Sequence, residues 1–375
     1  STAGIVDILE DYSQVLSFQK ERVRQTVENY TSTLGATCQG AVSKGMLDIF
    51  GGDDIGFDTV IVDEAARANP LDLFIPMSLA RRRIILVGDH YQLPQMLDPE
   101  VESEMLESGS LNEDDQKALG DSLFERLYGQ LKAREAEDGI KRTVMLDTQF
   151  RMHPDIGNFV SEQFYESRGE SRVLSGLSLK DFHINLPEYS DSVAHWVDIP
   201  HSMGGEKRRG TSWARYIEAE KTAEIATELM DDDDSISVGV ITFYASQREA
   251  IFSELKNKGV CSRSEDGWEY ETNYRTTSEG EERIRVGSVD AFQGKEFDVV
   301  ILSMTRSNQF TGITDKQLNK KYGFLRKPER LNVAFSRAKK LLVAVGDRAM
   351  FSSVEAEEAL PSVYTYAKSL CGASK

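Results

Sequence analysis

Six short, almost uninterrupted aliphatic runs constrain this chain more than any other feature. Val60-Ile61-Val62, Ile84-Ile85-Leu86-Val87 and Val144-Met145-Leu146 form one group. Val238-Gly239-Val240-Ile241, Val299-Val300-Ile301-Leu302 and Leu341-Leu342-Val343-Ala344-Val345 form another. Runs without polar alternation predict strands buried on both faces, as in parallel sheets. Helical stretches at 213–230 and 247–256 separate several of them, so doubly wound α/β domains are expected. At about 150 residues per domain, 375 residues leave room for two or three. Ahead of the first strand, Leu9, Tyr12, Leu16, Val23, Val27 and Tyr30 recur at steps of three, four and seven. They predict a packing helix, with a partner-binding helix as the alternative.

Charge narrows the partners. Lys and Arg number 44 against 62 Asp and Glu, a net charge of −18. A uniformly basic nucleic-acid coat is excluded, and any anion-binding surface must be local. Residues 98–121 and the run Asp231-Asp232-Asp233-Asp234 read as solvated acidic loops. A metal site at the Asp run is conceivable, but its spacing does not require one. Residues 261–282 read as an exposed insertion. Cys38, Cys261 and Cys371 lie too far apart for a disulfide framework or a zinc knuckle, which points to a reducing compartment. No apolar run approaches the roughly 18 residues of a membrane span, and Ser1-Thr2-Ala3-Gly4 does not open a signal peptide. The expectation is an intracellular protein of cytoplasm or nucleus with no membrane partner.

Polar residues gather just after the predicted strands, where open α/β sheets bind ligands. Val60-Ile61-Val62-Asp63-Glu64 has the form of a Walker B site. There the Asp holds Mg²⁺ and the Glu positions or deprotonates water. Asp-Glu after a strand is frequent, so the dipeptide alone decides little. The next strand ends in Gly88-Asp89-His90-Tyr91-Gln92-Leu93-Pro94. Gly88 suits a sharp turn, and the Gln92 amide can reach a phosphate or a water. In Asp147-Thr148-Gln149-Phe150-Arg151-Met152-His153-Pro154, Arg151 offers a planar fork for phosphate and Phe150 a face for a nucleobase. The plainer alternative makes Phe150 core and pairs Arg151 with a carboxylate. Val289 to Glu296 reads Val-Asp-Ala-Phe-Gln-Gly-Lys-Glu, and Gly294 permits close backbone approach. Glu296 can accept ribose hydroxyls or orient an arginine. In Arg330-Leu331-Asn332-Val333-Ala334-Phe335-Ser336-Arg337-Ala338-Lys339, a helix would place Arg330 and Arg337 two turns apart on one face. Such an arginine could neutralise charge developing on a γ-phosphate, or only form surface ion pairs.

In this order, these five segments resemble motifs II to VI of superfamily 1 helicases. The nearest branch is superfamily 1B, that of the nonsense-mediated-decay RNA helicase and senataxin. The resemblance runs from about Thr37 to about Asp347. It implies two tandem RecA-like (P-loop NTPase) lobes with parallel sheets: an incomplete one at 1–145, with the N-terminal helix, motifs II and III and the acidic loop 98–121, and a second at 146–375, with motifs IV to VI. It implies ATP and Mg²⁺ as cofactors, bound between the lobes, and single-stranded RNA or DNA as partner. By that resemblance Asp63 holds the metal, Glu64 is the catalytic base and Gln92 senses the γ-phosphate. Phe150 lies against the adenine, Arg151 and Arg337 are arginine fingers, and Gly294 and Glu296 line the phosphate and ribose. Ser288, Asp290 and Gln293 join that site to the nucleic-acid backbone, and Thr37 and Gln39 belong to a strand-binding loop.

The family also uses a P-loop, Gly-x-x-x-x-Gly-Lys-Ser/Thr, to cradle phosphates. None occurs in these 375 residues: Gly294-Lys295 is followed by Glu296, and Gly204-Gly205-Glu206-Lys207-Arg208-Arg209-Gly210 lacks the ending. One expectation is a piece of a longer helicase that begins after its P-loop. The other is a degenerate homologue that clamps nucleic acid without turnover. Without a P-loop strand the first sheet would carry an open edge, to be covered by the missing segment or a partner chain. The purified 375-residue chain is therefore predicted to hydrolyse ATP only at background rate. Sustained turnover in a phosphate-release assay would refute this.

Overall fold

The computed structural model describes residues 31–49, 56–93, 122–182 and 192–370, with residues 186 and 189 and isolated positions in 5–30. The acidic stretch 98–121 and most of the N-terminal helix expected around Leu16, Val23 and Val27 lie outside the described residues. At Leu9, Tyr12 and Tyr30 the backbone is helical and the side chains are exposed. The chain divides into two compact units, Ser1–His90 with Pro94–Arg142, and Tyr91–Leu93 with Thr143–Lys375.

In the first unit β1 (Phe57–Val62) and β2 (Ala80–Leu86) pair in parallel, joined through α1 (Pro70–Ser78). The Asn69 side chain caps α1 by accepting from Leu71 N, and Pro70 occupies the first turn, where no N–H is needed. Helix α2 (Leu123–Asp138) starts at a Ser122 cap and stops at Gly139, whose φ of 71° only glycine adopts readily. Its Phe124 packs with Val62, Ala65, Ala66 and Leu73 in a small core. The expectation of strands buried on both faces fails here. Ile61 is 65% exposed, and Ile84 and Ile85 are also exposed. Among the described residues β1 and β2 pair only with each other, and the small core covers one face.

The second unit meets the expectation. Strands β5 (Ala194–Asp198), β8 (Val238–Thr242), β11 (Ile284–Ser288), β12 (Phe297–Ser303) and β13 (Ala338–Gly346) form one parallel sheet in the order β11-β8-β12-β13-β5. Every residue of β12 is buried. Side chains alternate between two cores: Val299 and Ile301 with Ala219, Ala223, Ile251 and Leu255, and Val300 and Leu302 with Phe159, Phe335 and Tyr366. The first core is closed by α4 (Tyr216–Asp232) and α5 (Ala245–Asn257), close to the predicted helices, and α3 (Pro154–Phe164) packs into the second. Three short pairs lie outside this sheet: β3 (Thr148–Gln149) with β4 (Leu174–Ser175), the hairpin β6 (Lys207–Arg209) with β7 (Ser212–Ala214), and the hairpin β9 (Cys261–Ser264) with β10 (Gly267–Tyr270).

Two expectations are corrected. Val144-Met145-Leu146 is not a strand. Val144 and Leu146 are exposed, and pairing begins only where Leu174 N donates to Asp147 O. Among the described residues these three aliphatic residues have no partner strand. Arg330 and Arg337 do not share a helix, because α7 (Pro328–Phe335), which follows α6 (Asp315–Tyr322), ends before Ser336.

A buried polar node closes the carboxyl end of the sheet. Glu218 accepts from Ser303 Oγ (2.7 Å) and Thr305 N (2.6 Å) and faces Arg215 at 3.5 Å, with both side chains fully buried. Burial pushes the Glu218 carboxyl up to about 7, against the pull of Arg215 and the two donors. A carboxyl that holds its proton more tightly when folded stabilises fully below its unfolded value near 4.5, and that stability is lost as pH rises through about 7. The loss amounts to roughly 3 kcal/mol. Denaturant melts from pH 4.5 to 8 are expected to show this decline in the native chain and a flatter profile in Glu218→Gln.

Candidate functional site

The structure gathers one set of the expected residues within the second unit. Arg337 is 2% exposed, and its guanidinium donates to Val333 O (3.1 Å), Lys295 O (3.2 Å), Ser336 Oγ (3.2 Å) and Gln92 Oε1 (2.8 Å). Gln92 therefore keeps company with the second unit, not with the one that carries Asp63 and Glu64. Its neighbours are anchored too: Asn332 Nδ2 donates to Tyr91 O, and Leu93 is buried in the core with Met152. Arg151 donates through Nε to Glu296 Oε2 (2.6 Å) and through Nη1 to Ser336 O (3.4 Å). Two guanidinium groups thus meet at Ser336, a donor set suited to phosphate oxygens.

Local sequence explains how they are presented. Gln149 ties off the turn that follows β3, accepting from Arg151 N and Met152 N and donating to Met152 O. Phe150 is thereby turned outward, 68% exposed, which excludes the plainer reading of it as core. Its ring lies against Gly176, where a Cβ would come within 2.7 Å of three ring atoms. Glu296 follows Gly294, whose φ of 74° supplies the left-handed turn. Ser288 ends β11, Asp290 lies in the 3₁₀ turn Val289–Phe292, and Gln293 closes it, all half-buried. Phe297 N donates to Arg337 O and His153 N to Lys339 O. This cluster therefore borders the amino ends of β12 and β13. The expectation that ligand groups follow the carboxyl ends of the strands is corrected here. The eight residues between β11 and β12 descend the sheet, with Phe292 covering Gly239 of β8.

Asp63 and Glu64 follow β1 in the first unit, both exposed. Asp63 Oδ1 accepts from Glu64 N (2.9 Å), and Glu64 has a φ of 53°, uncommon for a residue with a side chain. Gly88 is explained by closeness, not by turn geometry: a Cβ there would stand 2.8 Å from Ala66 N, and its φ is not left-handed. Ala65 N donates to Val87 O, which draws the two strand ends together. In the same unit Gln39 Nε2 donates to Asp72 Oδ1 (3.0 Å), and Thr37 Oγ1 accepts from Gly40 N (3.0 Å). Thr37 and Gln39 belong to the first unit, and Ser288, Asp290 and Gln293 to the second.

Among the described residues no group of three or more His, Cys, Asp or Glu could hold a metal, so the Asp231–Asp234 run is not such a site. Asp63 offers a single exposed carboxylate. That fits Mg²⁺, which takes one or two carboxylates and completes its shell with phosphate oxygens and water.

Family models described as AAA domain match residues 119–349, more than half of the chain, and residues 3–98. The regulator of nonsense transcripts 1 homologue of Neurospora crassa is 30% identical over 90% of this chain and 26% of its own length. The chain belongs to the superfamily 1B helicase family. Two further relatives agree with that membership. ATP-dependent helicase NAM7 of Saccharomyces cerevisiae is 31% identical over 87% of this chain and 28% of its own length. Helicase sen1 of Schizosaccharomyces pombe is 30% identical over 80% and 15%. This superfamily 1B chain thus spans between 15% and 28% of the length of these relatives.

Residues that sequence reasoning passed over include Ser336, where the guanidinium groups meet, and Gly176, which seats Phe150. A lone glycine or serine carries no signal until its neighbours are known. Gly88→Ala is expected to destabilise the first unit by about 1–3 kcal/mol, because backbone rather than a flexible side chain must yield. Faster hydrogen exchange at the β1 and β2 amides, with the five-stranded sheet unchanged, checks this.

Proposed function

We propose that this chain is part of the motor of an ATP-driven helicase or translocase acting on single-stranded RNA or DNA, with lobes near 1–145 and 146–375. The observation that carries the proposal is the pair of arginines at Ser336, one buried and bonded to Gln92. A buried guanidinium is costly to hold unless its geometry is needed. Family membership and the helicase names of the relatives support the same reading.

In this proposal Arg151 and Arg337 neutralise charge on the γ-phosphate, and Gln92 reports its presence through Arg337. Glu296 holds Arg151 in place and accepts from ribose hydroxyls, Gly294 keeps the backbone clear, and Phe150 presents its exposed ring to adenine. Glu64 orients and deprotonates water, and its uncommon φ is the local strain that functional residues tend to carry. Asp63 holds Mg²⁺, which when bound neutralises phosphate charge. Thr37, Gln39, Ser288, Asp290 and Gln293 contact the strand.

The test is ATP hydrolysis by the natural full-length protein with and without single-stranded RNA or DNA. Strand-stimulated turnover is expected, reduced roughly 10²–10⁴-fold by Glu64→Gln, the range of a lost general base. Arg337→Ala should lower it by roughly 10³–10⁵, the range of an arginine finger. Background turnover in the unaltered protein, with strand binding retained, would instead favour a non-hydrolysing clamp.

A further inference from the structure

The segment Gly204–Gly210, which fails as a P-loop, supplies β6 of the β6–β7 hairpin. It carries Lys207, Arg208 and Arg209 in succession, all exposed. Among the described residues none of the three meets a carboxylate, although the chain as a whole is strongly acidic. Arg209 stands 6.0 Å from the ring centre of Tyr216, which is 42% exposed.

The base of the hairpin is held by buried polar bonds. Glu206, directly before β6, is ion-paired with Arg306 at 2.8 Å, their side chains only 4% and 3% exposed. Its carboxylate also accepts from Ser307 N (2.6 Å) and Asn308 Nδ2 (3.1 Å). Ser307 in turn donates to Asp347 Oδ2 (2.7 Å) and lies 3.0 Å from His201 Nδ1. These groups follow β12, β13 and β5, so the hairpin rises from the carboxyl ends of the strands. That is where open α/β sheets bind their ligands, and the arginine cluster described above does not occupy it.

We propose that this hairpin contacts the backbone of a single-stranded nucleic acid, with Tyr216 and Arg209 as a stacking platform for one base. The proposal rests on the reading of the chain as part of a nucleic-acid motor and adds a contact which that reading does not include. Lys207 and Arg209 lie two residues apart on a strand, about 6.6 Å, a repeat that suits successive phosphates of an extended strand. Cations along a groove beside an exposed aromatic ring are the ordinary means of holding single strands without reading sequence.

Fluorescein-labelled oligouridine and oligothymidine are titrated with the chain across a salt series, by anisotropy. The variants are Lys207→Ala/Arg208→Ala/Arg209→Ala, Tyr216→Ala, Tyr216→Phe and a control, Lys256→Ala/Lys258→Ala, which removes exposed cations from the end of α5. The triple variant is expected to lower the slope of log K against log salt by about 1.4, at about 0.7 for each of the two lost phosphate contacts. The control should keep the slope. Tyr216→Ala should weaken binding roughly tenfold with little change of slope, and Tyr216→Phe should restore it. An unchanged slope in the triple variant, or an equal drop in the control, overturns the hairpin contact alone. Aggregation of the triple variant with unchanged binding does so too, since it would show that the cations only guard a strand edge. No binding by the unaltered chain overturns both this contact and the motor reading.

Discussion

The five-stranded sheet must bury both of its faces, and most of the second unit follows from that requirement. Fully burying each Val, Leu or Ile side chain contributes about 1.5–3 kcal/mol, and β12 contributes a run of them. Such strands leave no face for polar chemistry, so charged groups are driven to the strand ends. The dense packing also dictates glycines inside the sheet. A Cβ on Gly239 would come within 3 Å of Phe292 and Phe297, and one on Gly287 would press on Ala291 and Phe292.

At the strand ends, buried charges hold the loops. Arg337 at the amino ends, and the pairs Arg215–Glu218 and Arg306–Glu206 at the carboxyl ends, are bonded to surrounding carbonyls, hydroxyls and amides, with Arg306 Nε left without an acceptor among the described residues. Removing one partner of such a pair typically costs about 3–5 kcal/mol, because the other charge is left buried alone. These groups give the second unit two rigid rims. One presents Arg151 and Arg337 at Ser336, and the other carries the basic hairpin. The Asp63–Glu64 pair of the first unit is different. It is exposed, and its shape comes from backbone bonds among Val62, Ala65 and Val87 and from the absence of a side chain at Gly88.

Much of this was legible in the residues. Aliphatic runs announced β8, β12 and β13, and helical periodicity announced α4 and α5. Ordered motifs announced the family and the residues of interest. The sequence could not show that Val144-Met145-Leu146 is not a strand, or that Ile61, Ile84 and Ile85 are exposed. Aliphatic content reports a preference for burial, while burial itself depends on what lies opposite. Nor could it show that α7 ends before Ser336 and leaves Arg337 to be buried beside β13, since the helical periodicity carries on through Arg337.

Sequence alone thus determined the parallel α/β class and the family, and singled out the side chains proposed to carry chemistry, because composition and motif order are local properties of the chain. Only the tertiary structure decided that Gln92 pairs with Arg337 and Arg151 with Glu296, and that the basic hairpin sets Arg209 beside the exposed Tyr216 of α4. Those pairings join positions up to 245 residues apart, and only packing sets such distances.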